Sequence, residues 1–262
     1  MIFKSPGEII ISINGFSVYY YGVIMALACF IGVYTAYRLL KKYYPEENYK
    51  RVWDFATMLL IFGILGARLY YCLLNPIKYF GNPLEIFNIR EGGLSIHGAL
   101  ITGIAALIIL SKKYKLGKTK LLDVFACGTA LAQSFGRWGN FFNSEAFGYP
   151  TDLPWKLFIP PDKRPIEFIN SDFFHPTFLY ESILDFVIFI ILYYTLKTTA
   201  KTQPGIAFYS YLMLYSIARI FIETIRVDSV LSFSGLHIAH IISLILFIVG
   251  VAGILHKTKC KA

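Results

Sequence analysis

Residues 236–256 read LHIAHIISLILFIVGVAGILH, a run without a single Asp, Glu, Lys or Arg. A helix needs about 20 apolar residues to cross the hydrocarbon core of a bilayer, so this stretch reads as a membrane span. Working outward from it, six more apolar stretches read the same way, at about 16–40, 53–74, 93–111, 121–138, 176–196 and 205–226. The fourth is the most interrupted, by Gln133, Ser134 and Arg137. The chain is 56% apolar and only 16% charged, more than a soluble domain of 262 residues can hide. The expected fold is an all-α membrane protein with seven transmembrane helices, forming a single integral membrane domain over residues 1–262.

Basic residues set the expected orientation. Arg38, Lys41, Lys42, Lys50, Arg51, Lys112, Lys113, Lys115, Lys118, Lys120, Lys197, Lys201, Lys257, Lys259 and Lys261 fall on one side of this arrangement. Only Lys4, Lys78, Arg90, Lys156, Lys163 and Arg164 fall on the other. Lys and Arg accumulate on the cytoplasmic side, so the N-terminus is expected outside and the C-terminus in the cytoplasm. The net charge of +9 is then a matter of topology and calls for no nucleic acid. Its expected partner is the anionic inner leaflet of the lipid bilayer.

The four remaining arginines, Arg68, Arg137, Arg219 and Arg226, lie within spans or at their ends. With that orientation, all four occupy the outer half of their helices. Tyr21, His97, His175, Tyr180, Glu181, His237 and His240 begin the oppositely directed spans and arrive at the same depth. Charges kept only for snorkelling would appear at both interfaces, so one-sided clustering points to a site.

The loop 139–174 carries Trp155, Phe158, Phe168, Phe173 and Phe174 among four prolines and is expected to form a small extracytoplasmic cap between spans four and five. The first apolar segment lacks a small-residue cleavage site and reads as a retained span. Cys29, Cys72, Cys127 and Cys260 have neither metal spacing nor the pattern of a disulfide framework. HExxH, phosphate-loop and serine-elbow motifs are missing from the sequence. His237 and His240 could share one face, but they lack a third metal ligand of suitable spacing. Neither a metal nor a cofactor is expected.

The chemically densest stretch is Gly136-Arg137-Trp138-Gly139-Asn140-Phe141-Phe142-Asn143-Ser144-Glu145-Ala146-Phe147-Gly148. It resembles the signature of the prolipoprotein diacylglyceryl transferase family at every position that pattern specifies. The similarity continues through Tyr21-Gly22, Gly66-Ala67-Arg68, Glu91 to Gly98, His175 to Glu181, and Arg219 with Glu223 and Arg226. Glu91, Tyr149 and His240 stand where relatives often carry Asp, Arg and Gln.

The resemblance implies transfer of the diacylglyceryl group of phosphatidylglycerol to the lipobox cysteine thiol of a prolipoprotein signal peptide. A thioether forms and glycerol phosphate leaves, the first step of bacterial lipoprotein maturation at the cytoplasmic membrane. Negative charge develops on the departing phosphate, which fixed cations in a dry site stabilise. Arg137, with its planar fork, is the expected clamp and Arg219 the second, the latter able also to pair with Glu223 one turn on. A thiol is only a few per cent ionised near neutrality and needs a base, for which His97 is the candidate. Asn140, Asn143 and Glu145 are expected to position the head group, with Gly148 allowing close backbone approach and Tyr21, Arg68 and Glu223 supporting them. Two rival classes, a phospholipid transporter or lipid-binding scaffold and an intramembrane protease, fit less well. Paired repeats with midplane charge are not evident, and Glu181 and Asp185, four apart, share one helix face.

Overall fold

The computed structural model describes residues 2–13, 16–81, 83–88, 93–227, 232–233 and 236–259. Among them are seven helices of eighteen residues or more: α1 Tyr20–Tyr43, α2 Arg51–Leu74, α3 Ile96–Lys113, α4 Lys118–Asn143, α5 Thr177–Thr199, α6 Ile206–Glu223 and α7 Ile238–Lys259. By length and composition, α1, α2, α5, α6 and α7 can cross a membrane. Their outward faces carry large apolar side chains such as Leu27, Phe30, Leu65, Tyr194 and Ile248, each more than half or nearly half exposed, as a lipid-facing band requires. Helix α4 is excluded from that set by its own polar residues, among them Lys118, Lys120, Asp123 and Arg137.

Two boundaries differ by more than three residues from those expected. Residues 16–19 are a strand, so the first helix starts at Tyr20, and α4 continues to Asn143 rather than ending near 138. The first eight of the thirteen signature residues are therefore helical. The reason is local: Gly136 to Asn143 contains no proline, and the chain leaves the helix only where Ser144 and Ala146 take left-handed φ values of 52° and 55°.

The chain divides into two compact units, Met1–Leu39 with Leu122–Ala262, and Leu40–Leu121. In the smaller unit α2 packs on α3, with the Thr102 hydroxyl donating to the Phe62 carbonyl at 2.9 Å. Arg68 is buried in α2, and its guanidinium donates to the carbonyls of Glu85, Ile86, Asn88 and Gly93 at 2.6–3.0 Å. That ties the segment following α2 back onto the helix. At the opposite end of the unit, Lys120 pairs with Glu46 at 2.7 Å and Glu47 at 2.9 Å, joining the α1–α2 connection to the start of α4.

In the larger unit α1 and α4 cross where both carry glycine. A Cβ on Gly128 would lie 2.4 Å from the Gly32 carbonyl oxygen, so only the small residue permits this approach, the usual route to tight helix packing in lipid. Helix α6 starts after Gly205, and its first free amides are not left to water. Asp123, fully buried on α4, accepts from the Gly205 N–H at 2.6 Å and the Phe208 N–H at 2.9 Å. The loop between α4 and α5 folds around buried apolar residues: Phe147, Leu157, Ile159 and Phe174 pack with Phe178 of α5. Strand β4 Leu157–Phe158 lies between β1 Phe3–Lys4, parallel to it, and β5 Phe173–Phe174, antiparallel. The N-terminal residues thus complete the cap's sheet. A hairpin of β2 Ile9–Ile13 and β3 Phe16–Tyr19 leads directly into α1.

Candidate active site

The signature stretch does two structural jobs before any chemistry. Its turn is closed by the Glu145 N–H donating to the Asn140 carbonyl at 3.0 Å. The Glu145 carboxylate then accepts from the side-chain amides of Asn140 at 2.8 Å and Asn143 at 3.3 Å. The two asparagines and the glutamate expected to hold a head group therefore form one preorganised unit. Tyr21 lies against it, its ring 2.9 Å from where a Cβ of Gly139 would sit.

Beyond the turn, the chain is clamped between two helix ends. The Ala146 carbonyl accepts from the Thr177 hydroxyl at 2.6 Å and the Phe178 N–H at 3.0 Å, both at the start of α5. The Gly148 N–H donates to the His175 carbonyl and the Tyr149 N–H to the Ile225 carbonyl, just past α6. A Cβ on Gly148 would meet that Ile225 oxygen at 2.7 Å. Gly148 is accordingly a point of close approach between backbone segments, which fixes α5 against α6.

Those two helices and α4 carry the charges. Arg137 has no acidic neighbour within a turn before it on α4; its partners come from α5, Glu181 at 2.5 Å and Asp185 at 4.0 Å. Glu181 is the hub, since Arg219 and Arg226 reach the same carboxylate at 3.3 and 3.4 Å. Arg219 also pairs with Glu223 at 2.8 Å, the i,i+4 contact its spacing offers. All three carboxylates are buried. Breaking such a buried pair by removing one partner is costly because an uncompensated charge remains. The side chains of Arg137, Arg219 and Arg226 are 14–21% exposed, so the cluster is not sealed from its surroundings. A cleft lined by Glu181, Leu184, Asp185, Tyr215, Ala218, Arg219 and Ile222 opens onto this cluster. Deeper along the same face, the Tyr211 hydroxyl donates to Gln133 at 2.9 Å.

Sequence reasoning placed Arg137, Arg219, Arg226 and Glu181 at one depth and offered Glu223 as the partner of Arg219, and the fold brings these five together. It also supplies Asp185 as a member, which was legible only as the second acid on one face of span five. Arg68 belongs to the smaller unit, with the backbone contacts described above. His97 falls in the first turn of α3; its side chain lies outside the described residues, as do Glu91 and the side chain of His237. His175, ahead of α5, shares its Nδ1 with the Tyr180 hydroxyl at 3.2 Å, and Trp155 donates to that hydroxyl at 2.9 Å. Desolvation holds the His175 imidazole below its usual pKa, so it is neutral near pH 7. Among the described residues no three His, Cys, Asp or Glu side chains are grouped to bind a metal ion.

A site rich in fixed guanidinium groups, in a membrane helix bundle, is suited to an anionic head group. Residues 8–256 match the family model described as prolipoprotein diacylglyceryl transferase. The chain belongs to this family. It is 41% identical over 256 residues to the phosphatidylglycerol–prolipoprotein diacylglyceryl transferase of Synechococcus elongatus, covering 96% of this chain and 88% of the relative. It is 42% identical over 256 residues to the enzyme of the same name from Synechocystis sp., covering 96% and 89%. Near end-to-end coverage puts both the arginine cluster and the signature turn inside the shared region.

Proposed function

We infer that this protein transfers the diacylglyceryl group of phosphatidylglycerol to the lipobox cysteine thiol of prolipoproteins. The observation that carries the reading is the ion cluster in which Arg137, Arg219 and Arg226 converge on Glu181 beside a small cleft. In this reaction the thiolate sulfur bonds to a glyceryl carbon while that carbon's bond to the phosphate oxygen breaks. The thiol proton passes to a base, and glycerol phosphate departs with the bonding electrons.

Arg137 and Arg219 hold the phosphate of the bound lipid, exchanging part of their contact with Glu181 for it. Because these donors are positioned before the reaction, charge accumulating on the leaving oxygen meets dipoles and cations that need not reorganise. Glu181 and Glu223 fix the two forks, and Glu145, held by Asn140 and Asn143, addresses the glycerol hydroxyls. His97 serves as the base, and Arg68 acts indirectly by ordering the segment that precedes it. Family membership favours this chemistry over a transporter or scaffold.

The setting follows from the charge count. All seven long helices span the cytoplasmic membrane of a bacterium as one domain, with the N-terminus and the 139–174 cap outside and the C-terminus in the cytoplasm. The test is direct. Purified protein is incubated with phosphatidylglycerol and a peptide carrying a lipobox cysteine, and the peptide is analysed by mass spectrometry. Gain of a thioether-linked diacylglyceryl group, lost when the cysteine is replaced by serine, is expected. An unmodified peptide under conditions where the protein is folded and binds the lipid would overturn the assignment.

A further inference from the structure

Among the described residues the ion pairs of the cluster balance. Arg137, Arg219 and Arg226 face Glu181, Glu223 and Asp185, three cations against three carboxylates. Adding the single negative charge of a phosphodiester leaves a buried site with an excess anion, which a low-dielectric environment resists. The imbalance can be removed by a proton on one of the carboxylates. The contacts say which one. Glu181 is held by Arg137 at 2.5 Å with Arg219 and Arg226 at 3.3 and 3.4 Å, and Glu223 is held by Arg219 at 2.8 Å. Asp185 has its closest guanidinium nitrogen 4.0 Å away, on Arg137, and its Oδ2 makes no hydrogen bond. It is only 3% exposed, so solvent does not compensate for the missing cation.

We propose that Asp185 is the proton-binding site of this cluster, taking up a proton when an anionic phosphodiester docks on the arginines. The proposal rests on the phosphatidylglycerol reading above and deepens it. The groups facing Asp185 are Arg137 from α4, Glu181 on its own helix, and Tyr211, Tyr215 and Arg219 from α6. When phosphate draws Arg137 towards itself, Asp185 loses its nearest cation. Protonation then replaces an uncompensated buried carboxylate with a neutral carboxyl able to donate a hydrogen bond, and the cluster returns to net zero. Linkage makes the effect reciprocal: a proton favours lipid binding and the lipid favours the proton.

The experiment measures binding rather than turnover. Short-chain phosphatidylglycerol is titrated into the purified protein in detergent from mildly acidic to mildly basic pH, with short-chain diacylglycerol, which lacks the phosphodiester, as the uncharged control. Proton uptake is read in parallel with an indicator dye in weak buffer. The wild type is expected to lose up to about tenfold in affinity per pH unit over the range where Asp185 ionises, with up to about one proton taken up per lipid. Asp185→Asn should bind with a pH-independent Kd and take up no proton. Asp185→Glu should restore both, with a displaced midpoint.

Parallel pH slopes and equal proton uptake in wild type and Asp185→Asn would overturn the proposal while leaving the function intact. Phosphatidylglycerol bound no better than diacylglycerol by the wild type at any pH would overturn both. Should Asp185→Asn fail to accumulate, an unshifted midpoint in Asp185→Glu is the refuting result.

Discussion

Replacing Arg137 by alanine removes the shortest contact in the cluster, the 2.5 Å pair with Glu181, and the one guanidinium within 4.0 Å of Asp185 among the ion pairs of the described residues. Glu181 keeps Arg219 and Arg226 at 3.3 and 3.4 Å, so it is not left as a bare buried charge. Asp185 is, and the folded state should lose roughly 1–3 kcal/mol, the usual cost of stranding a buried polar partner. The catalytic cost is larger. A charged donor that acts on the transition state contributes about 3 kcal/mol or more, so turnover should fall at least about 100-fold. The assay is thioether formation at saturating phosphatidylglycerol, normalised to folded protein by a thermal melt in detergent. Near-normal turnover in a well-folded Arg137→Ala protein would remove Arg137 from the mechanism. A finer comparison separates clamp from base. Arg137→Lys keeps the charge but loses the fork, which higher pH cannot restore, so its rate relative to wild type should stay flat with pH. For His97→Gln that ratio should climb, because higher pH ionises the thiol directly. Equal, pH-independent losses would make His97 an orienting residue.

Asp123→Ala removes both acceptors for the free amides at the start of α6 and should lower stability by about 1–3 kcal/mol, seen as a drop in Tm in detergent; an unchanged Tm would show that water caps the helix equally well. Arg68→Gln should loosen residues 83–88 without unfolding the chain, giving faster proteolytic cleavage or amide exchange there than in wild type, and identical protection would contradict the account of Arg68 as their tether. Reporters after Lys115 and near Asp162 should behave as cytoplasmic and external respectively, and finding both on one side would break the proposed orientation.

The apolar runs and the Gly136–Gly148 motif made the helical membrane class and the family legible from the chain alone. Both are local properties: a span is written in twenty consecutive residues, and a thirteen-residue signature is read in order. Arg137 and Arg219 could be placed at a common depth because helix direction and distance along the helix fix depth. What lay opposite them could not be read. Facing depends on how α4, α5 and α6 rotate about their axes, and packing sets that rotation, through the pairing of Gly148 with His175 and Ile225 and through Asp123 at the start of α6. Asparagines 140 and 143 are near Glu145 in sequence, yet only the left-handed turn at Ser144 and Ala146 brings their amides onto its carboxylate. Glu181 acquired three arginine partners and Asp185 almost none, though they sit one turn apart on the same helix. Sequence determined which charges the membrane would have to accommodate, and tertiary structure decided which of them were neutralised, because Coulomb interactions in a low-dielectric interior depend on ångström distances between helices that no linear spacing records.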